Sequence, residues 1–258
     1  MTQPLNGARV LVTRPAHQAD NLCQLIAGHG GVPVRLPTLA IAPVDNALAI
    51  RQTLAHLNNY QWLIFISANA VTMHGYYSDG VKMMQFGSAQ IAAIGKATAN
   101  ALAAAGLPVD LVPSNGYNSE ALLAMPQLQN LQGQRCLIIR GVGGREELAT
   151  SLKQRGASVD YLNVYQRVMP ETDNSEVSLL LAQNQLAAIT ITSGEALHNL
   201  ATMLASQQAH LFEVPLVVVS ERIKTIAADQ GFKRIAVTEH PSDEAILKTV
   251  TMYVIGGE

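Results

Sequence analysis

The side chains able to do chemistry in this sequence gather at one kind of place, the point where a short apolar run stops. Arg14 follows RVLVT, Ser67 follows LIFI, and Lys96 and Thr98 follow IAAIG. Asn118 and Ser119 follow a Pro-flanked run, and Arg140 closes CLII. Ser193 follows ITIT, and Ser220 and Arg222 follow LVVV. In a parallel α/β sheet such positions lie beyond the carboxyl ends of the strands, where ligands sit against helix N-termini. The first-turn N–H groups there are free donors with positive dipole character. A row of them suits a ligand with many carboxylates and needs few charged side chains. Each Ser or Thr taken singly is an N-cap; the set reads as a binding rim. Arg14 and Arg140 divide evenly between a ligand contact and a plain role, either a solvated side chain or a structural pair with a carboxylate. One titratable residue stands out, Tyr165, inside NVYQR on an extended segment. From the residues alone it reads as a packed ring with its hydroxyl on a backbone group.

Several chemistries are excluded. The run Gly141-Val142-Gly143-Gly144 has Glu146 where a dinucleotide loop needs its third glycine, and it is no Walker loop. Thr192-Ser193-Gly194 lacks the first glycine of a nucleophile elbow. The seven histidines are scattered without metal-ligand spacing, so no metal is expected. No carboxylate pair stands at a strand end. Cys23 and Cys136 form no CxxC motif and read as buried thiols. The formal net charge of −2 has no basic block behind it, so no nucleic-acid partner is expected. The opening Met1 to Gly7 is not a signal peptide, and no apolar run is long enough for a membrane helix. The expectation is a soluble cytoplasmic protein.

The elements that must position these residues are duplicated. RVLVTR at 9–14 resembles RCLIIR at 135–140, 126 residues later. LIFIS at 63–67 resembles ITITS at 189–193 at the same offset, and IAAIG at 91–95 resembles LVVVS at 216–220 at 125. A repeat in register indicates two copies of one module of ordinary domain size. Within each copy, apolar β-branched runs alternate with amphipathic stretches, which signals βαβ units. Strands are expected at 8–13, 61–66, 90–94 and 109–112, then at 135–139, 187–192, 215–219 and 234–238. Helices are expected at 16–29, 68–77, 96–105 and 118–125, then at 144–155, 194–206, 221–230 and 242–254. Two extended, Pro-flanked segments, 35–44 and 161–170, interrupt the copies at equivalent places, as two chain crossings between domains would.

The runs LVTRPAHQADNLCQLIAGHGGVPVRLPTLAIAP, WLIFISANAV, IAAIGKATANALAAAGLP, GYNSEALL, LIIRGVGGREELATSLKQRGASVDYLNVYQR and ITITSGEALHNL occur in this order. The ordered set resembles bacterial uroporphyrinogen-III synthases of the enterobacterial branch, over about residues 8–250. The resemblance implies an α/β fold of two flavodoxin-like parallel-sheet domains joined by a two-stranded β linker. Domain 1 would combine 1–36 with 170–258, domain 2 would span 44–162, and 37–43 and 163–169 would be the linker strands. It implies a cofactor-free lyase of porphyrin and heme biosynthesis. The substrate would be hydroxymethylbilane, closed to uroporphyrinogen III with inversion of ring D through an azafulvene and a spiro intermediate. Tyr165 matches the family tyrosine that assists loss of the hydroxyl; a phenol is a poor general acid near neutrality, so assistance is the role assigned. Ser67, Thr98 and Ser193 match positions lining the cleft. Ser220-Glu221-Arg222 departs from the Gly-x-Thr-Thr of other members. The expected partners are the small-molecule substrate and, in transient hand-over, hydroxymethylbilane synthase, with a monomeric protein. Two alternatives from the residues are a two-lobed small-molecule sensor without catalysis and a two-lobed glycosyltransferase.

Overall fold

The computed structural model describes residues 4–77, 88–116, 118–144 and 146–256. Tyr117, Arg145 and the first three residues of the opening segment, all part of expectations above, lie outside these. In chain order the elements are β1 (Arg9–Val12), α1 (Ala16–Gly28), β2 (Val32–Arg35), β3 (Ala40–Ala42), α2 (Ala47–Leu54), β4 (Trp62–Phe65), α3 (Ala68–Tyr77), β5 (Gln90–Ala93), α4 (Lys96–Ala104) and α5 (Ser119–Leu123). They continue with β6 (Arg135–Gly141), α6 (Glu147–Gln154), β7 (Ser158–Val168), α7 (Ser175–Ala182), β8 (Leu186–Ile191), α8 (Gly194–Met203), α9 (Gln208–Leu211), β9 (Leu216–Val218), α10 (Glu221–Gln230), β10 (Ile235–Val237) and α11 (Asp243–Gly256).

The chain divides into two compact units. Unit 1 is Met1–Ala40 with Val168–Glu258, and unit 2 is Ile41–Arg167. The sheet of unit 1 runs β10-β9-β8-β1-β2, with every neighbouring pair parallel. Renumbered within the unit, this is the doubly wound order 2-1-3-4-5. Unit 2 runs β3-β7-β6-β4-β5, with β7, β6, β4 and β5 parallel and Leu111 bridged to Ala92 beyond β5. With β6 taken first, it is the same order plus β3 at the edge. Each sheet thus combines strands from both copies of the repeat.

Burial on both faces explains why the strands are apolar throughout rather than alternating. In β1, Leu11 joins one core cluster with α7, α8 and α10, while Val10 and Val12 join another with α1 and α11. In unit 2, Leu63 and Phe65 of β4 face α2, α3 and α4, and Trp62 and Ile64 face α5 and α6. α1 shows the corresponding helical pattern, burying Ala19, Leu22, Cys23 and Ile26. Both cysteines are free and buried. Among the described residues no helix is long and apolar enough to cross a membrane.

Three expectations about elements are corrected. The segment 109–112 is no strand but a single bridge at Leu111; Pro108 and Pro113 flank it and donate nothing to a ladder. The segment 35–44 is broken. β2 ends at Arg35, Leu36 to Thr38 sink into unit 1, and only Ala40–Ala42 pairs, beside β7. Thr38 is held there by its Oγ1 on the Thr13 carbonyl at 3.3 Å and by the Asn199 amide on its own carbonyl at 2.7 Å. Helices α2 and α7 were unexpected. Each follows a crossing segment and is eight residues long, with two and three buried positions, too few to register as a period.

Candidate functional site

In both units the expected site residues stand at the carboxyl ends of the strands, and the structure gives most of them a local task. Ser67 caps α3 by accepting the Ala70 N–H at 3.0 Å. Asn118 accepts the Ala121 N–H at 2.8 Å, Ser193 that of Ala196 at 3.1 Å and Ser220 that of Ile223 at 3.4 Å. Ser119 is half-buried, Lys96 and Arg222 are exposed, and the Arg222 guanidinium lies alongside Gly194. Thr98 is buried in the first turn of α4, so it presents no surface in this conformation. Arg14 resolves toward structure: its guanidinium pairs with Asp243 at the start of α11, both largely covered, and Asn21 donates to the same carboxylate at 2.7 Å.

The structure does bring Tyr165 and Ser67 together. Their hydroxyl oxygens are 3.1 Å apart, so the phenol's partner is a side chain and not the backbone group expected. What makes the contact is a bulge. β7 pairs with β6 in steady register up to Arg140↔Asn163, and then Gly141 pairs with Tyr165, skipping Val164. An inserted residue re-aims the side chains beyond it. Val164 and Tyr165 therefore both pack on the α3 face, whereas strict alternation would put Tyr165 on the face of Tyr161. Gly141 permits the turn: a Cβ there would lie 2.5 Å from the Tyr165 ring.

The hydroxyls form a short chain. Ser67 Oγ accepts a backbone N–H, and either hydroxyl can donate in the bond to Tyr165. When Ser67 donates, the phenol proton is available to a third group at the carboxyl edge. Hydrogen bonds in series polarise one another, so this arrangement can assist the departure of a hydroxyl without an ionised acid.

On the opposite face of the same sheet lies a cavity of about 310 Å³ lined by Ile66, Ile94, Ile138, Leu148, Asn118, Ser119, Glu120, Arg140 and Tyr161. The Arg140 side chain is only 4% exposed. It donates to the Gly141 carbonyl at 3.2 Å and to Glu146 at 3.3 Å, and it stacks 4.7 Å over the Tyr161 ring. The Tyr161 hydroxyl donates to the second Glu146 oxygen. That bond, with the charge of Arg140, holds the Glu146 carboxyl below its ordinary range. Burial, reinforced by Glu146, pushes Tyr161 up to about 12. Glu146 and Tyr161 were not among the expected site residues. Glu146 had a visible signal as the residue standing where a nucleotide loop needs glycine, but its partner follows only from the fold. Among the described residues, no three His, Cys, Asp or Glu side chains gather closely enough to hold a metal.

The sequence profile of the family described as Uroporphyrinogen-III synthase HemD matches residues 20–248. The uroporphyrinogen-III synthase of Escherichia coli K12 is 30% identical over 248 residues, covering 93% of this chain and 99% of that protein. The Salmonella typhimurium protein of the same name is 30% identical over 245 residues, with the same coverage. Among solved structures, a mutant uroporphyrinogen III synthase from Thermus thermophilus superposes with a TM-score of 0.60 at 18% identity, covering 98% of this chain and 100% of that one. The Helicobacter pylori uroporphyrinogen-III synthetase gives 0.59 at 16%, covering 94% and 97%. At these identities the structures speak for the fold, and the sequence match decides the rest: the chain belongs to the uroporphyrinogen-III synthase family.

Proposed function

We propose that this chain closes hydroxymethylbilane, a linear tetrapyrrole, to uroporphyrinogen III, inverting ring D and releasing water. The observation that carries this reading is the family match over residues 20–248, supported by similarity to the E. coli enzyme over nearly its whole length. A sensor that binds without catalysis has no comparable support.

The reaction begins when the hydroxyl on the carbon attached to ring A leaves, giving an azafulvene. Ring D attacks that carbon through its substituted α-position, forming a spiro intermediate. The spiro centre fragments and recloses with ring D reversed. In this account Tyr165 donates to the departing hydroxyl, and Ser67 supports the phenol by donating to its oxygen. Ser67, Lys96, Asn118, Ser119 and Arg140 in unit 2, and Ser193, Ser220 and Arg222 in unit 1, contact the substrate. Arg14 and Thr98 brace the turns from behind.

No strong base is asked for. The substrate closes readily without inversion, so the catalyst has to favour one closure over another. A tenfold preference needs only ~1.4 kcal/mol, and fixed orientation supplies more than that. Backbone donors at strand ends hold acetates and propionates without side-chain charge. Neither metal nor organic cofactor enters the scheme.

The functional domains are taken as 1–36 with 170–258, and 44–162, with 37–43 and 163–169 as linker strands. The protein works as a cytoplasmic monomer that receives its unstable substrate by transient hand-over from hydroxymethylbilane synthase.

The test is the isomer formed. Purified protein is given freshly prepared hydroxymethylbilane in the presence of a chelator, and the products are oxidised to porphyrins and separated. Isomer III is expected in excess. Isomer I alone, from protein shown to be folded, overturns the reading.

A further inference from the structure

The Arg140 guanidinium is almost wholly covered by protein, yet its carboxylate partner is 67% exposed. A covered cation held by a largely exposed anion is an uneven pair. Removing a charge's partner inside a protein is costly, while an exposed ion pair contributes little. The anion on Arg140 is therefore exchanged most cheaply for another anion, one that also accepts the Tyr161 hydroxyl now on Glu146. Three further observations bear on what the replacement is. The cavity of about 310 Å³ opens beside the guanidinium. Its lining combines aliphatic Ile66, Ile94, Ile138 and Leu148 with polar groups that include Arg140, Tyr161 and one carboxylate, Glu120. Gly144 keeps the overlying loop clear: a Cβ there would lie 2.9 Å from an Arg140 nitrogen. That volume is at the bottom of the range for small-molecule sites, too small for four linked rings and suited to one.

We propose that Glu146 is an internal stand-in for a substrate carboxylate: on binding, one acetate or propionate displaces it from Arg140, and the pyrrole bearing that arm enters the adjoining cavity. This rests on the function proposed above and specifies where one ring is held. The substrate then straddles the carboxyl edge of a single sheet. One ring lies on the α5 and α6 face at Arg140, while the leaving hydroxyl is met on the α3 face at Tyr165 and Ser67. The bulge at Val164 is what separates the two groups onto opposite faces. Glu146 is thereby a specificity element. It raises the threshold for entry so that only an arm carrying a full negative charge exchanges with it, and a neutral side chain of similar size does not.

The test is a fluorescence titration with uroporphyrin III, an octacarboxylate, and with its octamethyl ester as the uncharged probe. It uses the full chain as wild type, Glu146→Gln, Arg140→Lys and the double variant, alongside KM for hydroxymethylbilane. Glu146→Gln alters an exposed position and keeps an amide oxygen as acceptor for Arg140, so it carries the test even if an Arg140 variant folds poorly. Glu146→Gln is expected to tighten the acid about fivefold, to lower KM by a similar factor, and to admit the ester more readily than wild type does. In the Arg140→Lys background the same change shifts Kd less than twofold, because the anion it competes for is no longer well held. Weaker or unchanged binding by folded Glu146→Gln overturns the proposal, as does failure of the wild type to bind the acid. Wild type that makes isomer III with an unmoved Glu146→Gln Kd refutes this proposal alone. Wild type that binds as described but makes only isomer I refutes the proposed function alone.

Discussion

The carboxyl edges of unit 1 and unit 2 start from the same repeat and have ended differently. Arg14 and Arg140 are equivalent, 126 residues apart, each at the end of the first strand of its copy. In unit 1 the arginine reaches Asp243, the first residue of α11, and Asn21 fixes the same carboxylate from α1. The pair is covered on both sides and acts as a clamp. Ser119-Glu120 matches Ser242-Asp243 at an offset of 123; in unit 2 that Glu120 lines the cavity, and Arg140 turns instead to the exposed Glu146. Unit 2 also has a bulged β7, which carries Tyr165 to Ser67. Duplication supplied one scaffold twice. Where the arginine found its carboxylate distinguishes the edge of unit 1, closed by a covered ion pair, from the edge of unit 2, where the arginine lines a cavity.

If that contrast is right, the largest stability effect falls on unit 1. Asp243→Ala leaves a mostly buried arginine without its anion and should cost about 3 kcal/mol. It should be seen as faster hydrogen exchange in β1 and α11. Glu146→Gln keeps an amide oxygen for Arg140 at a position open to water and should cost about half as much. Equal losses for the two variants would break the comparison.

Acid should strike unit 2 of its own accord. Burial lowers His74 from 6.5 to about 4, so an unfolded chain takes up the proton first as pH falls. The stability contributed by the neutral ring is present above about pH 6.5 and lost on the way down to 4. The loss is about 3 kcal/mol at one unit per 1.36 kcal/mol. Trp62, the only tryptophan, lies in β4 of unit 2, and its fluorescence in denaturant series between pH 7 and 4.5 reports the effect. His74→Phe should flatten that limb; an unaltered slope would contradict it. Next, Gly141→Ala forces a methyl group against the Tyr165 ring. It should destabilise unit 2 by about 2 kcal/mol and depress turnover more than binding. A variant with wild-type turnover would show that the bulge does not position the phenol.

Much of the scaffold was legible. Apolar runs ending in Ser, Asn or Arg marked the strand ends, and the repeat announced two like sheets. The rest depended on distances that no spacing carries. The bulge is one skipped residue in a strand that reads as regular, so the face of Tyr165 was hidden. Arg14 and Arg140 look alike in sequence, and their unlike fates are set by residues 229 and 6 positions away. Helices α2 and α7 escaped because short helices with two or three buried positions leave no clear period. Thr98 matched the family's cleft-lining position and is nonetheless covered.

The smallest stability effect and the most telling functional one belong to the two hydroxyls. Tyr165→Phe removes one hydrogen bond and should cost about 1 kcal/mol, below the losses above, while lowering kcat about tenfold. The direct measurement is a double-mutant cycle on kcat for isomer III formation, using Tyr165→Phe, Ser67→Ala and the pair. Groups acting as one relay are non-additive, so the double variant should be no slower than Tyr165→Phe alone. Fully multiplicative losses, or wild-type kcat in folded Tyr165→Phe, would contradict the claim that the bulged edge of unit 2 delivers the phenol to the leaving hydroxyl.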